Sequence, residues 1–255
     1  MNALAPLGRA LVTLAALLGA WQTVVWATAA PRYLLPGPLA VAEAMQRQAS
    51  TLASHGLTTL SEILLGLIGG VLLGGVSALS LARFRTARRW LMPVLVVSQA
   101  IPVFALAPLL VLWLGYGMLS KVAMAILIIY FPVTTALFDG LRRTEPGWLD
   151  LARTMGATPA ATLWVIRLPA AQPAFWSGLR VAAAVAPIGA VIGEWVGSSS
   201  GLGYLMLHAN ARMQIDLLFA AVLVLGLFAV ALYAAVDALA RRATAWQVET
   251  QPSDD

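Results

Sequence analysis

Residues 216–239 read DLLFAAVLVLGLFAVALYAAVDAL, and residues 57–82 read LTTLSEILLGLIGGVLLGGVSALSLA. Each is a nearly uninterrupted apolar run. An α-helix rises about 1.5 Å per residue, so roughly 20 apolar residues match a bilayer core about 30 Å thick. Four further stretches, at 10–30, 90–115, 119–139 and 172–196, have the same character. Their glycines and prolines do not break the pattern, because both residues are commoner in membrane helices than in soluble ones. The expected fold is an all-α polytopic membrane protein with six transmembrane helices.

Composition agrees. The chain is 60% hydrophobic and 11% charged, against about 45–50% and 25% for soluble domains. So few charges cannot coat a water-soluble particle of 255 residues. The net charge of +5 raises the question of nucleic acid. The basic residues flank the apolar runs, however, and no basic stretch is interleaved with aromatics, so no nucleic-acid partner is expected. The chain has no cysteine, which excludes disulfides and thiolate chemistry. His55 and His208 lie far apart and form no metal spacing, so neither a metal nor a cofactor is expected. Arg9 precedes the first run, and Ala27-Thr28-Ala29 resembles a signal cleavage site. The run is longer than the 7–15 residues of a signal core, and an uncleaved span is expected.

With the N-terminus in the cytoplasm, Arg9, Arg83, Arg85, Arg88, Arg89, Arg142, Arg143, Arg153, Arg167, Arg241 and Arg242 fall inside. Arg32, Arg47, Lys121 and Arg212 fall outside, and Arg180 lies within the fifth span, where it is expected to snorkel to the inner interface. This is a positive-inside distribution with both termini cytoplasmic. The expected organisation is an N-terminal span over 1–30, an outer loop over 31–56 with a short helix near Leu39–Gln48, a five-span core over 57–246, and a disordered tail over 247–255. Residues 197–215 form a polar outer segment. Trp21, Trp26, Trp90 and Trp246 read as interfacial anchors. Gly66, Gly70 and Gly74 read as close-packing positions.

The one long inner loop, 140–171, reads GLRRTEPGWLDLARTMGATPAATLWVIRLPAA. Thr144 can cap a helix with Pro146 in its first turn. Trp148, Leu151, Ala152 and Met155 fall on one face. Gly156 suits a left-handed helix end. Thr158 and Pro159 start a second helix, which Pro169 is expected to end. The residues themselves admit two readings: an amphipathic pair lying on lipid, or a docking element for a soluble partner.

The same loop resembles a family signature. Asp150-Leu151-Ala152, Gly156, nine residues to Ile166, then Leu168-Pro169 is similar to the conserved loop of binding-protein-dependent ABC permeases, which opens Glu-Ala-Ala and closes Ile-x-Leu-Pro. Asp150 and Leu151 depart from that opening. The resemblance extends along nearly the whole chain to the nitrate/sulfonate/taurine branch. It is carried by Leu34-Leu35-Pro36-Gly37-Pro38, Ile101-Pro102, Ala107-Pro108-Leu109, Trp113 through Gly117 with Ser120-Lys121, Phe131-Pro132, Glu194 and Ser200 through Tyr204. Residues 99–108 and 207–211 look most like permeases for pyrimidine precursors of thiamine.

The resemblance implies a type I ABC importer permease fold. It also implies a separate ABC ATPase, a periplasmic substrate-binding protein and a second permease copy, in a bacterial inner membrane. It implies that Asp150, Leu151, Ala152, Met155, Gly156, Ile166, Leu168 and Pro169 couple the chain to the ATPase. No Gly-x-x-x-x-Gly-Lys-Ser/Thr stretch occurs, so ATP is expected on a partner and the chain is not itself an enzyme.

Polar residues inside the spans are the candidates for a translocation path. Glu194 lies near the outer end of the fifth span, and an intramembrane carboxylate is costly unless it meets water or a partner. It reads as either a path residue or a helix-end carboxylate reaching water. Gln99 reads as a path residue or an interhelical hydrogen bond. Glu62 reads as a helix-interface pair or a path residue. His208, Asn210, Arg212 and Gln214 read as a contact surface, a cap on the path or a solvated loop. A secondary transporter would show inverted halves and midplane ion ligands, and a membrane hydrolase would need Ser–His or metal ligands within spans. Neither pattern is found.

Overall fold

The computed structural model describes residues 4–246, and every element among them is helical. These are α1 (Leu4–Thr28), α2 (Pro38–Arg47), α3 (Ala49–Arg83), α4 (Arg85–Ala100), α5 (Ala107–Leu114), α6 (Met118–Arg142), α7 (Pro146–Thr154), α8 (Pro159–Gly197), α9 (Leu202–Ala211) and α10 (Ile215–Ala243). By length and apolarity α3, α6, α8 and α10 are each able to cross a membrane. The expected tail over 247–255 lies outside the described residues.

All six expected runs fall on helices, but not as six straight rods. The run 90–115 is broken. α4 ends at Ala100 and Val103–Leu114 continues at 94° to it. Ile101 precedes Pro102 and is extended at φ −80°, ψ 120°, because the proline ring disfavours the α region for the residue before it. In α1 the apolar part, Val12–Thr28, is short for a span. The fifth run grows instead of stopping. α8 runs 39 residues from Pro159 to Gly197 and passes through Pro169. A π-turn at Thr162–Arg167 lies just ahead of that proline. Its wider i→i+5 spacing relieves the clash a proline makes with the carbonyl four residues earlier.

The chain divides into two compact units. Among the described residues one comprises 4–58 and 199–226, the other 59–198 and 227–246. In the first, Trp21 stacks on Phe219 with centroids 5.8 Å apart, which places this expected anchor in an interhelical contact. Arg32 pairs with Asp216 at 3.5 Å. Residues 197–215, expected as a polar segment, contain α9, whose Leu202, Leu205, Met206 and Ala209 are buried. Tyr204 on α9 stacks on His55 and lies tilted by 37° against His208.

The second unit centres on α6, held between glycines of α3 and α8. A Cβ on Gly70 would lie 2.5 Å from Ile129, and one on Gly74 would lie 3.0 Å from Val133. On the other side, a Cβ on Gly189 would lie 2.8 Å from the Ala125 Cα, and one on Gly193 would lie 3.0 Å from the Lys121 Cα. Small residues let membrane helices approach backbone to backbone where no hydrophobic driving force exists between them. The outward faces stay apolar: Leu64, Ile68, Leu72 and Val76 on α3, and Leu227 and Val230 on α10, are exposed. Arg180 pairs with Asp237 of α10 at 2.7 Å.

Candidate functional site

Two constellations stand out, both within the second unit. The first is the hairpin after α6. α7 begins at Pro146, and its N-cap is Glu145, extended ahead of the proline and without a side-chain cap. Thr144, expected as the cap, instead donates its hydroxyl to the Leu141 carbonyl at 3.3 Å. α7 ends in a Schellman arrangement. Ala157 N–H bonds the Ala152 carbonyl at 2.9 Å and Gly156 N–H bonds the Arg153 carbonyl at 3.0 Å. Gly156 has φ +73°, which only glycine adopts without strain. Nothing lies within 4 Å of where its Cβ would be, so backbone conformation rather than space requires the glycine. Thr158 then caps α8 by accepting from Ala161 N–H at 3.2 Å, with Pro159 in the first turn.

The hairpin presents an open apolar cavity of about 400 Å³. Leu151, Ala152, Met155, Ile166 and Pro169, all expected in coupling, line it together with Trp148, Val165, Ala170 and Trp246. Met155 is 77% exposed and Leu151 60%, so these side chains face outward rather than into a core. Leu168 packs on the buried cluster of Leu81, Leu137, Phe138, Leu141 and Leu163. Asp150 is exposed and pairs with Arg153 at 2.8 Å. Trp246, expected as an interfacial anchor, lines the same cavity as Trp148.

The second constellation is a buried polar cluster. Glu62 and Glu194 are 0% and 1% exposed, and Thr59 and Lys121 are equally enclosed. Lys121 forms an ion pair with Glu62 and donates to Ser198 Oγ at 3.1 Å. Thr59 donates its hydroxyl to Glu194 Oε1 at 2.6 Å. Glu194 also lies within side-chain reach of Glu62. α3, α6 and α8 are thus joined at one level by two carboxylates, one ammonium and two hydroxyls. Gln99 is not part of it. It is exposed and lines an 80 Å³ cavity with Thr134, Thr135 and Asp139, roughly 20 Å further along α6 at 1.5 Å per residue. Lys121, read as an outer-loop cation, was the missed residue. The signal was present: a single lysine against 15 arginines, next to a span, in a chain whose Glu62 and Glu194 lie inside spans and need a counter-ion. Among the described residues no group of His, Asp or Glu is placed to hold a metal.

Residues 70–245 match the family model for the binding-protein-dependent transport system inner membrane component. The chain belongs to that family. Its relatives include a probable ABC transporter permease protein of Haemophilus influenzae, 56% identical over 91% of this chain and 95% of the relative. The formylaminopyrimidine transport permease protein ThiX of Halalkalibacterium halodurans is 36% identical over 84% and 86%. The riboflavin transport system permease protein RibX of Chloroflexus aurantiacus is 35% identical over 92% and 89%. In fold, the permease is similar to the MetNI methionine ABC transporter solved in inward-facing conformations, with a TM-score of 0.68 at 16% identity over 77% of this chain and 98% of that one. The protein is accordingly a multi-pass permease subunit of an ABC importer with the type I fold, and not an enzyme. Membership of this family implies an ATPase and a substrate-binding protein as partners.

Proposed function

We propose that the permease sits in a bacterial inner membrane with both termini cytoplasmic, and that the hairpin over 144–169 is where the ATPase grips it. The observation that carries this reading is the outward-facing apolar cavity bounded by Leu151, Met155 and Ile166. It lies on the loop whose spacing resembles the family signature and beside the arginines of the positive-inside face. Closure of two ATPases on ATP would draw two such hairpins together in a pair of permease copies. The spans would then switch between inward- and outward-open states as rigid bodies. Domain boundaries follow the same reading: a span over 1–30, an outer loop over 31–56 and a core over 57–246.

Gly156→Val tests the grip. A β-branched residue at φ +73° is strongly disfavoured, so α7 would be aimed differently while the spans still insert. The expected result is a chain that reaches the membrane but no longer co-purifies with the ATPase and imports about a tenth as much or less, as for loss of a well-packed anchor. Wild-type uptake by this variant would refute the reading.

For the cargo we propose a small planar nitrogen heterocycle, with a pyrimidine precursor of thiamine first. The ThiX and RibX relatives are named for a pyrimidine and a flavin, and residues 99–108 and 207–211 carry the same resemblance. Sulfonate, taurine and nitrate are the alternatives. Titrating the partner binding protein with formylaminopyrimidine, riboflavin, taurine and nitrate decides among them. Uptake that persists with the ATPase inactivated would instead make the chain a secondary transporter. Along the translocation route, Glu194, Gln99 and Glu62 act in different ways on this reading. Gln99 faces a cavity, while Glu62 and Glu194 hold the route's wall together from inside.

A further inference from the structure

The hairpin is attached to the spans in a specific way. The Leu141 carbonyl lies in the last turn of α6, where helix carbonyls lack an intrahelical partner. Arg167 Nε donates to it at 3.0 Å and Nη2 at 2.8 Å. Thr144 Oγ1 adds a third donor at 3.3 Å. Leu141 is fully buried, and its side chain packs in one cluster with Leu163, Ala171, Leu81 and Phe138. Arg167 is the last residue of the π-turn, directly before Leu168 and Pro169. The guanidinium therefore joins residue 141 to residue 167, the two ends of the loop that carries α7. Above this joint the hairpin is not packed solid. A cleft of about 310 Å³ opens between Leu141, Arg142, Leu149, Arg153, Ala157 and Arg167.

We propose that Arg167 is a positioning residue that closes the base of the hairpin with a forked contact to the Leu141 carbonyl, so that force applied at α7 reaches α6 and α8 together. This deepens the docking reading above and rests on it for its purpose, though the clamp itself is a property of the chain alone. Without the joint, α7 could swing into the cleft while the spans stayed still. A charge-assisted fork gives orientation as well as strength, and lysine, a point donor on a flexible stem, cannot reproduce it.

The chain has no native cysteine, so a spin-label pair can be placed cleanly at Leu119→Cys, at the outer end of α6, and Ala160→Cys, beyond the Gly156 turn. Distances are measured in the full-length protein in lipid nanodiscs. The doubly labelled chain is diluted into unlabelled chain so that an assembly carries one label pair, and in the wild-type background it is expected to give one narrow distribution. Arg167→Ala is expected to broaden it about twofold as the hairpin opens locally, with Arg167→Lys in between. A residue that merely contributed to folding would lower the melting temperature without changing the width. Superimposable distributions in Arg167→Ala overturn the proposal. If that variant does not accumulate, Arg167→Lys decides alone: a broadened distribution supports the clamp and a wild-type width refutes it. Co-purification of the wild-type chain with its ATPase is scored separately. Its absence would refute docking at α7 while leaving the clamp measurement intact.

Discussion

A buried ion pair adds little net stability, yet removing one partner strands the other at a cost of about 3–5 kcal/mol. Lys121→Ala would leave Glu62, itself 0% exposed, with no ammonium at hand, and the permease should lose most of its thermal stability in detergent. Glu62→Gln combined with Lys121→Met should recover most of that loss, since neither charge then remains to be solvated. Stability of Lys121→Ala equal to wild type would show that water reaches the cluster. Glu194 follows a hydrogen-bond logic. Glu194→Gln keeps an oxygen to accept from Thr59 and should be mild, while Glu194→Ala removes that buried acceptor at a cost of about 1–3 kcal/mol. At this scale the sequence was legible where a residue's own chemistry forces a role. Gly156 was readable because a left-handed helix end needs glycine, and Thr158 because hydroxyl-then-proline starts a helix. Thr144 was not, because Glu145 ahead of Pro146 already supplies the extended N-cap and leaves the threonine to serve Leu141. The Lys121 pairing needed the third dimension, since its partners lie on two other helices.

Helices in this permease are matched by what they lack. Gly189 on α8 faces the Ala125 Cα, and a methyl there would sit 2.8 Å from backbone that cannot yield. Gly75 on α3 has nothing within 4 Å of a built Cβ. Gly189→Ala should therefore push α6 and α8 apart and destabilise the protein by about 1–3 kcal/mol, the usual cost of overpacking. Gly75→Ala should be neutral or gain up to about 1 kcal/mol from helix propensity. Thermal denaturation of the purified pair of variants separates them, and equal melting points would contradict the packing scheme. Apolar runs revealed where helices lie but not how they bend. The right-angle break at Ile101-Pro102 and the unbroken passage of α8 through Pro169 use the same residue type to opposite effect. The difference is the π-turn at Thr162–Arg167, which no pattern of apolar residues announces. α9 escaped notice because its ten residues are too few to span a membrane, and the serines and glycines before it read as loop.

On the proposed reading the permease as a whole is moved by its ATPase. Its hairpin holds a left-handed glycine and an open apolar cavity, while among the described residues the fully buried charges, Glu62, Lys121 and Glu194, gather among α3, α6 and α8. On the proposed reading that combination is a stiff core with a handle for the ATPase that membership of the family implies. Met155, three-quarters exposed on the handle, is the point of closest test. In this cysteine-free chain, Met155→Cys can be cross-linked in membranes containing the ATPase, with and without ATP. The account predicts an adduct between Met155→Cys and the ATPase, together with protection of the thiol from membrane-impermeant maleimide added outside. A thiol that reacts from the outer side, or that never cross-links to the ATPase in an actively importing membrane, would contradict it.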